Sequence, residues 1–254
     1  MVRLASLPMY DLPEIRSTTL AWWRGLARHF RNRGVEDVPD GLAETPSDPH
    51  DHWISPDLMF SQTCGFPLAT RLSGRVRVVA TPCYAAPGCR GADYVSRVVV
   101  AENSVIEGYD RLSGGTLAVN SWESHSGYNV LRGMPGGLGH FAAMIVSGGH
   151  RHGLRMVAEG EADAAAVDAV THALLAEHAP AALAGTRVLC DTPAAPGLPY
   201  VTSIDTDPER LRAGLTDALA DPALSAVREA LLLSGAEVVF EEVYRLAMYS
   251  RTEM

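Results

Sequence analysis

The sequence predicts an α/β protein of two lobes, on three observations. Short apolar strands alternate with helical segments along nearly the whole chain, the pattern of strand–helix units packed around a sheet. Two extended stretches, Val95 to Ala101 and Arg187 to Ile204, stand as crossovers, one going out and one coming back. The length of 254 residues suffices, at about 100–200 residues per domain, for one large domain or two small ones. Two crossings that join two α/β lobes describe a hinged, discontinuous protein, with residues 1–95 and 203–254 in one lobe and 96–202 in the other. Mainly parallel sheets and a ligand cleft between the lobes go with that architecture.

The elements follow in order. Arg3 to Met9 reads as a strand. Asp11 with Glu14 three residues later predicts a capping box, with Pro13 in the first turn. The helix behind it carries Ile15, Trp22, Leu26 and Phe30 on one stripe, expected in the core, and ends near Gly34. Residues 35–57, rich in Pro, Asp and His, read as a loop. Leu58 to Gln62 is a strand, with a helix after Pro67; Arg75 to Thr81 is another strand. From Gly115 the alternation restarts, with strands at Thr116–Asn120, Ala142–Ser147 and Ala164–Val167. Helices are expected at Ser126–Arg132, His150–Glu159 and Val170–His178. Arg187–Cys190 and Tyr200–Ile204 are extended, and residues 207–251 read as mostly helical.

Composition removes several function classes. The 21 basic and 30 acidic residues give a formal charge of −9, which argues against nucleic acid or an anionic membrane as the main partner. Every basic residue is Arg; there is no Lys. Schiff-base chemistry on lysine, a P-loop lysine and the kinase strand lysine are therefore excluded. The longest apolar run, Phe141 to Val146, is far short of the roughly 18 residues of a membrane span. The start lacks a basic segment followed by an apolar one, so no signal peptide is visible. The expected location is periplasmic if a leader has been removed and cytoplasmic otherwise. Cys64, Cys83, Cys89 and Cys190 show no C-x-x-C spacing. A Cys64–Cys89 disulfide is open, and buried free thiols are the plainer expectation.

The segment Asn120-Ser121-Trp122-Glu123-Ser124-His125-Ser126-Gly127-Tyr128 joins a strand to an expected helix through small hydroxyl residues. Backbone N–H groups at a helix start, with Ser124 and Ser126 beside them, make an anion site that needs no Lys or Arg. An ordinary serine cap would need only one of those hydroxyls. Ser147-Gly148-Gly149-His150 is a second strand-to-helix turn, placing His150 at the same sheet edge if the strands are neighbours. Gly137-Leu138-Gly139-His140-Phe141-Ala142 matches the dinucleotide pattern in letters, but it leads into a strand instead of following one and reads as a turn. His50-Asp51-His52 and His150-Arg151-His152 lack a third metal ligand; the first pair is expected to be solvated, and no metal or cofactor is expected. The acidic run Glu159, Glu161, Asp163 reads as a solvated helix end, and no G-x-S-x-G elbow exists.

The chain resembles the substrate-binding proteins of phosphate/phosphite/phosphonate ABC transporters. The resemblance rests on Ser6-Leu7-Pro8-Met9-Tyr10, Ser61-Gln62-Thr63-Cys64-Gly65, Pro87-Gly88-Cys89 with Tyr94 and Ser96, Asn120 to Tyr128, Gly149-His150 and Ala158 to Asp163. It implies a type II periplasmic-binding-protein fold that closes on a small oxyanion without chemistry, with an ABC permease as partner. It also implies that Ser124, His125, Ser126 and His150 hold the anionic group. Tyr10, Tyr94, Ser96 and Asp168 would meet the rest of the ligand, with Gln62 and Thr63 lining an opposing loop. His125 stands where the family has a middle hydroxyl, which points to a different oxyanion or a larger organic ligand. The competing reading is a cytoplasmic enzyme or sensor on the same fold, acting on a small organic acid with His125, His150 and Asp168 as acid/base groups.

Overall fold

The computed structural model describes residues 3–44, 46 and 48–249. The chain divides by packing into two units. The first comprises Met1–Ala85, Arg90–Ala92 and Pro196–Arg245, the second Ala86–Cys89, Asp93–Ala195 and Leu246–Met254.

In the first unit the strands are β1 (Leu4–Ser6), β2 (Leu58–Gln62) and β3 (Val76–Tyr84), joined from the later chain by β11 (Tyr200–Ser203) and β12 (Leu233–Glu237). They form one sheet in the order β1-β2-β11-β3-β12. Only β1 and β2 run parallel; β11 is antiparallel to both neighbours, and β12 is antiparallel to β3. Helix α1 (Arg16–Asn32) packs against α6 (Glu209–Ala220) and α7 (Ser225–Ala230). Its expected stripe is the core: Ile15, Trp22, Leu26 and Phe30 are all buried, and so is Trp23. Phe60 of β2 lies with its ring centre 5.1 Å from Phe30 and 4.7 Å from Tyr200, and Trp22 donates to the Tyr200 hydroxyl at 3.3 Å. That single hydrogen bond supplies the polar end of a tyrosine otherwise sealed in hydrocarbon. Burial drives the Tyr200 phenol up to about 12, with Trp22 pulling the other way.

The capping box does not form. A 3₁₀ turn at Pro13–Ile15 leads into α1 with no side-chain cap, and Asp11 pairs with Arg16 instead. Burial raises the Asp11 carboxyl, with Arg16 and Thr19 opposing. The 35–57 loop contains one helical turn, α2 (His50–Trp53), and α3 (Gly65–Ala69) starts before Pro67. His50 is buried, not solvated, because that turn docks through Trp53, whose indole donates to the Gln62 carbonyl at 3.2 Å. The C-terminal region is less helical than its composition suggests: β12 interrupts it before α8 (Glu241–Tyr249). Residues 250 and 251 of the expected helical span lie outside the described residues.

In the second unit β5 (Ser96–Ala101), β6 (Thr116–Val119), β7 (Ala143–Val146), β8 (Ala164–Asp168) and β9 (Thr186–Asp191) form a sheet in the order β7-β6-β8-β5-β9. The short strands β4 (Asp93–Tyr94) and β10 (Ala195–Pro196) pair separately. β7, β6 and β8 are parallel, while β5 runs antiparallel to β8 and β9. Both sheets are thus mixed, not mainly parallel: in the first, β11 and β12 return from the far end of the chain in the opposite direction, and in the second, β5, the first of its strands in chain order, runs against both neighbours. Val98, Val100, Leu117, Val119, Val130, Leu131, Ala164 and Ala166 make the core of this unit. Helices α4 (His150–Ala158) and α5 (Ala169–His178) follow β7 and β8 directly. No helix among the described residues is long and apolar enough to cross a membrane.

Candidate functional site

Three neighbouring parallel strands of the second unit, β7, β6 and β8, end at the same sheet edge, and each hands over a polar residue there. At the carboxyl ends of parallel strands the backbone turns away and leaves space for side chains and ligands. β6 releases Asn120 and the turn that follows, β7 releases Ser147-Gly148-Gly149 and then His150, and β8 ends on Asp168.

The turn after β6 is not the start of an α-helix. Residues 125–128 form consecutive turns, and only a 3₁₀ segment, Asn129–Gly133, follows. Gly127 and Gly133 weaken a helix here, and the backbone instead closes wider rings, Asn129 N–H to Ser124 O at 3.0 Å and Val130 N–H to His125 O at 2.9 Å. The hydroxyls survive this correction. Ser124 Oγ accepts from the Gly127 amide at 3.1 Å and lies 3.4 Å from Ser126 Oγ. Accepting from that amide leaves the Ser124 hydroxyl its own proton to give.

His150, the first residue of α4, meets this turn. Its Nε2 lies 3.1 Å from Ser126 Oγ, 3.4 Å from the Asn120 side-chain amide and 3.3 Å from Asp168 Oδ2. Asp168 caps α5 by accepting from Thr171 N–H at 2.8 Å, and it also accepts from the Thr171 hydroxyl at 2.6 Å. Burial would push its carboxyl up; the hydrogen bond and charge of His150 and the two Thr171 donors outweigh this and hold it below the usual carboxylate range. An ionised carboxylate only accepts, so the His150 nitrogen facing it carries a proton. Ser126 and Asp168 meet the same ring nitrogen. The imidazole therefore cannot pass a proton from one to the other across the ring as a Ser-His-Asp triad does. What the arrangement offers is a set of donors: two hydroxyls and an imidazole N–H, backed by one buried negative charge.

The other expected residues fall in three places. His125 is buried with Nδ1 accepting from the Asn129 amide at 3.2 Å, its ring centre 6.4 Å from that of Tyr94. Ser96 is buried in β5 directly opposite Asp168, its N–H donating to Thr192 Oγ1 at 2.9 Å. Tyr10, Gln62 and Thr63 belong to the first unit. There Gln62 Nε2 donates to the Tyr84 hydroxyl at 3.2 Å and to the Leu198 carbonyl at 3.0 Å, and Tyr10 stands edge-on to Tyr84 at 5.3 Å. Tyr10 takes φ of +59°, a left-handed conformation rare for a tyrosine, and the Thr63 amide donates to the Pro199 carbonyl at 3.0 Å.

Two participants, Asn120 and Thr171, were absent from the expected set. Thr171 had a signal, since an Asp three residues ahead of a Thr at a helix start is a capping pattern. No disulfide joins the four cysteines, and Cys89 is driven up to about 11 by burial and then by the Asp168 charge. The Gly137 segment is a turn with a short 3₁₀ piece, Leu138–His140, leading into β7. No group of three metal-binding side chains occurs among the described residues.

A model of the family described as the periplasmic substrate-binding protein of phosphonate ABC transporters matches residues 56–244. No curated protein matches the chain by sequence. Among solved structures, PhnD1 from Prochlorococcus marinus in complex with methylphosphonate is similar with a TM-score of 0.76 at 13% identity, covering 96% of this chain and 95% of that one. A binding protein component of an ABC phosphonate transporter from Pseudomonas aeruginosa gives 0.71 at 16%, covering 95% and 82%. The Xanthomonas citri protein XAC2383 bound to chloride ion gives 0.75 at 16%, covering 98% of each chain. At these identities the structures speak to the fold, that of two-lobed type II periplasmic binding proteins.

Proposed function

The chain belongs to the family of periplasmic substrate-binding proteins of phosphonate ABC transporters, and from that premise we propose that it holds a small phosphonate-like oxyanion on Ser124, Ser126 and His150. The protein is a solute-binding component of ABC-type uptake. The observation that supports this choice of residues is the meeting of two serine hydroxyls and an imidazole nitrogen at the ends of β6 and β7. Three donors converge there without an Arg or Lys, so the anion's charge is met by directed dipoles and by one imidazole. Asp168 Oδ2, 3.3 Å from the same nitrogen, favours the tautomer that carries its proton there. His125, packed on Tyr94 and Asn129, fills the space of the family's middle hydroxyl and would shape what the anion may carry as a substituent. Family membership supports a periplasmic location and delivery to an ABC permease.

The test is isothermal titration and thermal shift against methylphosphonate, 2-aminoethylphosphonate, phosphite, phosphate, sulfate and small carboxylates. Saturable binding of at least one phosphorus oxyanion, lost on combining Ser124→Ala with Ser126→Ala, is expected. No response to any phosphorus oxyanion at millimolar levels overturns the reading.

A further inference from the structure

Two facts about Asn120 are unexplained by its position at the end of a strand. Its side-chain amide lies 3.4 Å from His150 Nε2, and its Oδ1 is buried without a hydrogen-bond partner among the described residues. It also sits against Gly127 so closely that a Cβ on residue 127 would overlap Oδ1 and Cγ of Asn120. Gly127 needs no left-handed backbone to explain it, since its φ is not in that region. What this glycine supplies is room.

The chemistry at His150 gives the amide a direction. Nε2 carries a proton because it faces the Asp168 carboxylate, so an NH₂ group placed against it would set donor against donor. Turning the amide about its last bond brings Oδ1 to the ring nitrogen, where it accepts; the two orientations fill nearly the same volume. In that orientation the oxygen meets the His150 N–H as an acceptor, and the amide nitrogen takes the place that Oδ1 leaves beside Gly127.

We propose that Asn120 is a positioning residue for anion capture, its amide wedged between the bare Cα of Gly127 and the imidazole of His150. The inference rests on the anion-binding reading above and deepens it. One side chain touches both halves of the donor set. Through Gly127, whose N–H holds Ser124 Oγ at 3.1 Å, it fixes the serine turn. Through its carbonyl it fixes His150, and with it the 3.1 Å approach to Ser126. Ser126 then does not need to accept from the ring or donate to it, and its proton is available to an oxyanion.

The test compares the wild type with Asn120→Ala, Gly127→Ala and their combination. Methylphosphonate, phosphite and phosphate serve as titrants, and long-range ¹H–¹⁵N correlation of the imidazoles as a second readout. Asn120→Ala is expected to weaken binding about tenfold or more, the scale of one hydrogen bond to a charged group, and to shift the His150 Nε2 resonance without anion present. Gly127→Ala should weaken binding at least as much. The combination should bind like Asn120→Ala alone, because the space that alanine 127 needs has been vacated. Asn120→Ser, shorter but still polar, replaces Asn120→Ala if that variant does not fold by circular dichroism. Unchanged affinity with an unmoved His150 resonance in Asn120→Ala, or losses that add in the double variant, overturns the proposal. If the wild type binds no titrant, the anion reading fails by itself; a His150 resonance that still moves in Asn120→Ala then supports the positioning role, and one that stays overturns it.

Discussion

Ser124 and Ser126 are buried hydroxyls within 3.4 Å of each other, an arrangement that leaves protons to donate once the Gly127 amide and His150 have taken their places. Removing one should cost binding and little else: Ser126→Ala is expected to weaken anion affinity by about 1–3 kcal/mol, read by titration calorimetry, while the melting temperature without anion changes little. Equal affinity would make the hydroxyl a packing group only. Asp168 carries a pH signature with a definite sign. Its carboxyl is held below the ordinary value of 3.8, so its contribution to stability is complete above that unfolded-state value and is lost as pH falls through the lower folded one. Denaturation followed from pH 6 to pH 2 should therefore show a steeper acid loss in the wild type than in Asp168→Asn, over roughly the range below pH 4. Coincident slopes would remove Asp168 from the account. At this scale the sequence was informative where a residue type announces its chemistry, as with Ser124, Ser126, His150 and Asp168. Asn120 was silent because its role depends on contacts made by residues 7 and 30 positions away.

Helices α1 and α6 approach closely because Gly214 lies under Phe30: a Cβ there would stand 2.6 Å from Phe30 Cδ1 and 3.2 Å from the Phe30 backbone nitrogen. The ring could turn, the backbone could not, so Gly214→Ala should force the helices apart at a cost of about 1–3 kcal/mol. Gly41→Ala, with nothing within 4 Å of the added carbon, should stay within about 0.5 kcal/mol; chemical denaturation of both variants makes the comparison. The stripe on α1 and the strand at 58–62 were legible because apolar spacing reports burial directly. β12 was not. Its Leu233-Ser234-Gly235-Ala236-Glu237 has no alternation, since it is a partly exposed edge strand held by β3. Strand direction was equally hidden, because whether β5 runs with β8 or against it depends on which distant segment arrives beside it. The helix expected at 126–132 failed for a local reason, the glycines at 127 and 133, whose weight against helix the hydroxyl motif obscured.

For the molecule as a whole, an anion that binds only the folded chain must raise its stability by RT ln(1 + [L]/Kd), about 2.7 kcal/mol at a hundredfold excess over Kd. A melting curve unmoved under conditions where calorimetry reports saturation would place binding on the unfolded chain as well. The order in which the strands occur along the chain has a consequence in time. Every strand of the β7-β6-β8-β5-β9 sheet lies between Ser96 and Asp191, whereas the other sheet needs Leu4 at one end and Glu237 at the other. A nascent chain emerging amino-terminus first can complete the serine- and histidine-bearing sheet while the other still lacks β11 and β12. The segment laid down first must wait for the segment made last, and through that interval β2 and β3 stand with open edges where β11 will insert. That exposes the unit to aggregation or to holding by a chaperone, and a chain stopped soon after Asp191 should already protect the amides of β6 and β8 from hydrogen exchange while those of β2 and β3 exchange freely.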